Sequence, residues 1–152
     1  MVRRYFAYGS NMNPDRVRER GLNVLDVAGA RLGGMRLAFD KTSRHHQGVG
    51  HANLVFDAHG IVEGVLYLFD DPQEILKMDP FERAPVNYSR EVVEVVSSNQ
   101  TLSSWTYFAN PAVRQPGLLP PRSYLDHLLA GKDYLSREYY RMLETWECDE
   151  RR

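Results

Sequence analysis

The sequence predicts an α+β fold built on a mainly antiparallel, strongly curved sheet. Apolar residues alternate with period two in several segments, and two pairs of apolar runs are joined by short polar links. The order runs from mixed strands and short helices, through two hairpins, to helices, which argues against a doubly wound parallel sheet. No repeat, low-complexity stretch or linker divides the 152 residues, so a single domain over 1–152 is expected.

Taken in order, Val2 to Tyr8 is rich in aromatic and β-favouring residues and stops at Gly9-Ser10-Asn11, a strand running into a sharp turn. Asn13 is placed to cap a helix with Pro14 at its first position, Asp15 near its positive end and Gly21 as its stop. A strand, a tight glycine turn and a helix start gather backbone N–H groups at one point, suited to a carboxylate or a phosphate alike. Asn23 to Ala30 is read as extended, and Met35, Leu37 and Phe39 alternate with Arg36, Ala38 and Asp40 as a half-buried strand. Lys41 to Gly50 is polar and read as a surface loop, and both Gly33-Gly34 and Gly48-Val49-Gly50 as turns.

Asn53 to Phe56 and Ile61 to Phe69 are expected to form a hairpin across Asp57-Ala58-His59-Gly60. The second run is apolar on both faces, as in the central strand of a barrel or a covered sheet. Asp71-Pro72-Gln73-Glu74 carries the pattern of a capping box and opens a helix that Pro80 should break. Tyr88 to Val96 and Thr101 to Ala109 form a second hairpin across Ser97-Ser98-Asn99-Gln100, and the proline-rich Asn110 to Pro121 is a loop. Two helices follow, one with Tyr124, Leu125, Leu128 and Leu129 on a face and Gly131 as stop, one from about Arg137 with Tyr139, Met142, Leu143 and Trp146 on a face.

Composition narrows the function classes. Nineteen basic against twenty acidic residues leave a formal charge of -1, and Arg3, Arg4, Arg16, Arg18 and Arg20 are interleaved with acids and apolar residues, so no nucleic-acid partner is expected. No run approaches the roughly 20 apolar residues of a membrane helix or forms a signal-peptide core, so neither membrane insertion nor export is expected. The single cysteine, Cys148, reads as an incidental thiol near a frayed C-terminus and suits the cytoplasm.

Machinery for most chemistries is missing. His45 and His46 are adjacent, His51 and His59 lack a partner at ligand spacing, and no P-loop or dinucleotide glycine pattern occurs, so neither metal nor cofactor is expected. Ser10 lacks the second glycine of a nucleophile elbow and is more often a cap or a backbone hydrogen-bonder. Glu82 remains, at an element boundary beside Phe81, where apolar neighbours raise a carboxylate toward the range useful in acid–base work. On spacing alone, a solvated glutamate at a helix end is the commoner reading.

The stretch Tyr5-Phe6-Ala7-Tyr8-Gly9-Ser10-Asn11-Met12 resembles the signature of the gamma-glutamylcyclotransferase family, which includes the plant AIG2-like proteins and the gamma-glutamylamine cyclotransferases. The resemblance continues through Gly50 to Val55 with Val62 to Tyr67, Asp79-Pro80-Phe81-Glu82, Tyr88-Ser89-Arg90 and Pro121-Arg122-Ser123-Tyr124. It implies a small mixed β-barrel with flanking short helices, and a cofactor-free cyclisation of a γ-glutamyl group that releases 5-oxoproline and an amine or amino acid. By match, Glu82 is the general base. Tyr5, Phe6, Ala7, Tyr8, Gly9, Ser10 and Asn11 line the γ-glutamyl pocket, and Tyr124 and Tyr88 lie close to the substrate. The partner implied is a small-molecule γ-glutamyl substrate, with a monomer or homodimer as the assembly. Where the family has glycine directly after the glutamate this chain has Arg83, a cation that bears on the leaving group and would lower the pKa of Glu82 if it lay near. A binding domain on the same scaffold, holding a ligand without chemistry, is the alternative.

Overall fold

In the computed structural model, which describes residues 1–150, the strands are β1 (Arg4–Ala7), β2 (Val24–Thr42), β3 (Gly50–Phe69), β4 (Tyr88–Ser97) and β5 (Gln100–Ala109). They close a barrel in the order β1-β3-β2-β4-β5. All neighbours are antiparallel except β1 and β5, whose parallel pairing at Tyr5 and Trp105 makes the barrel mixed. Four short helices flank it: α1 (Pro14–Glu19), α2 (Asp79–Glu82), α3 (Arg122–Leu129) and α4 (Arg137–Glu144). The core contains Phe6, Val62, Val65, Tyr67 and Phe69 from the strands, with Met12, Val17, Leu125, Leu128 and Leu143 sealing it from the helices and turns.

Several local signals act as their chemistry predicts. The Asn13 side chain accepts from the Asp15 amide at 3.1 Å, and Gly21 past the helix end is left-handed at φ 88°. The β4–β5 hairpin turns on Ser98 and Asn99, at φ 49° and 64°, the two positive values a tight primed turn requires.

Others act differently. The expected hairpin at Asp57-Ala58-His59-Gly60 does not form. β3 runs through it unbroken, and β2 is likewise continuous through Gly33-Gly34. The β2–β3 register passes from Gly33 opposite Ile61 to Met35 opposite Phe56, so the four residues Asp57 to Gly60 bulge out opposite Gly34, which is left-handed at φ 82°. A bulge needs the same small and polar residues as a turn, and two strands this long must bend to close a barrel. Glu74 does not reach back as a capping box; its carboxylate accepts from the Asn23 amide at 2.7 Å and from Lys77 at 2.8 Å. Pro80 sits in the first turn of α2 instead of ending a helix, a position where its missing N–H costs nothing.

Near the C-terminus, Met142 is exposed and Trp146 lies beyond α4, packed edge-on against Phe39 at 4.9 Å between ring centres. Cys148 is buried, and the next residue, Asp149, donates its amide to Pro120 at 2.9 Å, so this end is docked on the body instead of frayed. Among the described residues no helix is long and apolar enough to cross a membrane.

Candidate active site

β1 delivers its chain directly into the turn Gly9-Ser10-Asn11, and this turn floors a small cavity of about 30 Å³. Its walls are Tyr5, Tyr8, Gly9, Ser10, Asn11, Ala52, Glu82, Tyr88, Tyr107 and Tyr124. Gly9 is required by close approach: a Cβ there would stand 3.0 Å from the Ala52 Cβ and 3.1 Å from the Tyr124 hydroxyl. The first backbone bond of the turn runs from the Met12 amide to the Gly9 carbonyl, so the amides of Gly9, Ser10 and Asn11 precede any helical acceptor.

α2 carries Glu82 to the same cavity. Asp79, at the start of α2, accepts from Arg90 Nε of β4 at 2.9 Å and from the Tyr107 hydroxyl of β5 at 2.7 Å, which ties the helix to the barrel wall. Inside the cavity, Asn11 Nδ2 donates to Glu82 Oε1 at 3.1 Å, and Arg20 donates to Asn11 Oδ1 at 3.0 Å. Asn11 is itself fixed by the Tyr67 hydroxyl, which donates to its carbonyl at 2.6 Å. Burial pushes the Glu82 carboxyl above its ordinary range, against the opposing pull of Arg20, Arg16, Lys41 and the Asn11 hydrogen bond. Arg83, which follows Glu82, is exposed, and the cations that pull hardest on that carboxyl are Arg20, Arg16 and Lys41.

The tyrosines form a neutral, donor-rich lining. Tyr5, Tyr8 and Tyr88 are all raised by burial, and Tyr124 is pushed up to about 12, so each keeps its proton at neutral pH. Tyr124 accepts from the Ala52 amide at 3.1 Å and lies against Ser10, and Tyr88 donates to the Ala52 carbonyl at 2.8 Å. His51, next to Tyr124 with 4.6 Å between ring centres, is lowered to about 4 by burial and by Lys41 and Arg16, and so is neutral.

Of the residues singled out from sequence, Glu82, Tyr5, Tyr8, Gly9, Ser10, Asn11, Tyr88 and Tyr124 come together around one cavity. Phe6 and Ala7 do not. Both are buried in the barrel wall, where Phe6 packs over Gly64 and its carbonyl accepts from Thr106 at 2.8 Å. The sequence reading missed Tyr107, Arg16, Arg20 and Lys41. Lys41 left a signal, because Met35, Leu37 and Phe39 alternate inward and Lys41 continues that period, a buried cation where an apolar residue is due.

A model of the family described as gamma-glutamyl cyclotransferase, AIG2-like, matches residues 5–134. The chain belongs to that family. Known members of the fold agree with its barrel. The cyclotransferase-like chain superposes on a human structure described as uncharacterized protein loc79017 with a TM-score of 0.83 at 23% identity, covering 97% of this chain and 89% of the other. It superposes on a gamma-glutamyl cyclotransferase at 0.82 and 22%, covering 97% and 89%. A yeast gamma-glutamyl cyclotransferase described as specific to glutathione gives 0.64 at 14%, covering 92% and 93%. Among curated proteins none matches the chain. Family and fold together support cyclotransferase-type activity in general.

Proposed function

We propose that the protein cyclises γ-glutamyl compounds. The substrate's free α-amine attacks its own γ-carbonyl carbon, the ring C–N bond of 5-oxoproline forms, and the bond to the leaving amine or amino acid breaks. Because nucleophile and electrophile share one molecule, the protein supplies orientation, a proton carrier and donors for the developing oxyanion, and needs no nucleophile of its own.

The observation that carries this reading is the position of the Glu82 carboxyl on the wall of the cavity floored by the Gly9-Ser10 turn, where Asn11 donates to it at 3.1 Å. The ionised carboxylate takes a proton from the α-ammonium, which frees the amine to attack, and the same group returns a proton to the leaving nitrogen. Its raised pKa makes it a stronger base than a solvated glutamate. The Asn11 hydrogen bond orients the carboxyl, and the protonated Tyr5, Tyr8, Tyr88 and Tyr124 offer neutral surroundings for the glutamyl backbone. The amides of the turn, which precede any helical acceptor, are suited to the substrate's α-carboxylate.

Incubation with γ-glutamyl amino acids and γ-glutamylamines is expected to yield 5-oxoproline. Glu82→Gln should lower turnover at least about 10²-fold while a γ-glutamyl ligand still raises the Tm. Parent-like turnover by that variant removes Glu82 from the role of base.

A further inference from the structure

The amide that touches Glu82 has a direction, and a residue outside the cavity wall sets it. Asn11 is 2% exposed; its Nδ2 lies 3.1 Å from Glu82 Oε1 and 2.9 Å from the Tyr5 hydroxyl, and its Oδ1 accepts from Arg20 at 3.0 Å. An asparagine amide can turn over and exchange oxygen for nitrogen with little change of shape. Glu82 alone does not prevent this, because a protonated carboxyl donates to Oδ1 as well as an ionised one accepts from Nδ2. Arg20 does prevent it. A guanidinium only donates, so it requires the oxygen on its own side and leaves the nitrogen for Glu82.

Two elements place Arg20 for this. It follows the last residue of α1, where its own amide donates to the Arg16 carbonyl at 3.1 Å. Its guanidinium lies 4.8 Å from the centre of the Phe81 ring, and Phe81 directly precedes Glu82 in α2. Arg20 therefore grips the end of α2 twice, through the ring of Phe81 and through the amide that meets Glu82.

Resting on the cyclotransferase reading, we propose that Arg20 is a positioning residue: by fixing the Asn11 amide it keeps an N–H against Glu82 Oε1, so that the travelling proton is carried on Oε2. The carbonyl-type oxygen of a carboxyl is the better acceptor, so the oxygen that faces the N–H stays unprotonated. The proton leaves the substrate's ammonium for Oε2, and Oε2 returns a proton to the leaving nitrogen. Held at one angle through both protonation states, the carboxyl presents the same atom at each step.

The test is a double-mutant cycle with γ-glutamyl-L-alanine as substrate. Arg20 heads the cations that favour ionised Glu82, with Arg16 and Lys41 behind it, so kcat is read on the plateau above the acid limb. Arg20→Gln can present either an oxygen or an N–H to Asn11 and so fixes nothing. It is expected to lower kcat about tenfold or more while KM stays within about twofold. On Asn11→Ala, which has no amide to hold, the same change should cost less than about twofold. An equal loss in both backgrounds, or a raised KM at parent kcat, overturns the inference and leaves the reaction standing. Independently of turnover, the side-chain NH2 resonances of Asn11, identified by their loss in Asn11→Ala, should exchange with solvent about tenfold faster in Arg20→Gln than in the parent. Unchanged exchange overturns the inference. Turnover of no γ-glutamyl compound by the parent overturns the reaction and the inference with it.

Discussion

At Glu82 and Arg83, adjacent residues are both held in costly states. Burial raises the Glu82 pKa, so the folded state disfavours the ionised form. The stability this group contributes is full below the ordinary carboxylate range and is lost as pH rises through the raised value. Glu82→Gln, which carries no charge, should therefore have a higher Tm than the parent at pH 7, with the gap closing on acidification. Thermal melts across pH 4 to 8 measure this, and a variant less stable than the parent at pH 7 contradicts it. In the same assay series, the proposed role of Glu82 as base predicts that kcat/KM of the parent falls as pH drops through the Glu82 pKa, because a base must be ionised. For Arg83→Gly, relief of the left-handed strain of about 1 kcal/mol or more is set against the added freedom of glycine in the unfolded chain, about 0.5–1 kcal/mol. Urea titration should find this variant as stable as the parent or slightly more so, where most substitutions of an ordered residue destabilise.

Among the elements, α2 is the most dependent on its neighbours. Four residues cannot hold a helix by their own hydrogen bonds, and the Asp79 links to Arg90 and Tyr107 supply the anchorage. Asp79→Ala leaves a guanidinium and a buried hydroxyl without their acceptor and should cost about 2 kcal/mol by urea titration. It should also lower kcat more than a change of that size elsewhere, since Glu82 rides on the same helix. Such anchors show how far the sequence could be read. The turn from Tyr5 to Asn11 was legible because its residues are contiguous and their small-residue pattern has one meaning, whereas Phe6 and Ala7 took part in the motif without taking part in the cavity because a strand must turn some side chains to its core. Asp57 to Gly60 was misread because bulge and turn share a composition. Tyr107 was invisible for a different reason: it reaches the cavity only because β5 closes against β1, a long-range event that no local window contains.

Over the whole molecule, acid should act partly through His51. Its pKa is lowered from the ordinary 6.5 to about 4, so its contribution to stability is complete above 6.5 and is lost as pH falls from there through 4. His51→Gln should flatten that limb of the stability profile, and a parent-like acid limb in the variant would assign the loss to other groups. The last structural point concerns the seam between β1 and β5. Backbone pairing there is confined to Tyr5 and Trp105, and side chains complete the closure: Thr106 to the Phe6 carbonyl, Tyr8 to the Tyr107 carbonyl, and the edge-on Tyr5–Tyr107 rings at 5.8 Å. Tyr5, Tyr8 and Tyr107 also wall the cavity, so a ligand seated there works as a clasp across one of the two joins of the barrel that are paired at a single position. Opening the barrel forfeits the ligand, and occupancy should register as protection of the β1 amides from hydrogen exchange as well as in the rate of turnover.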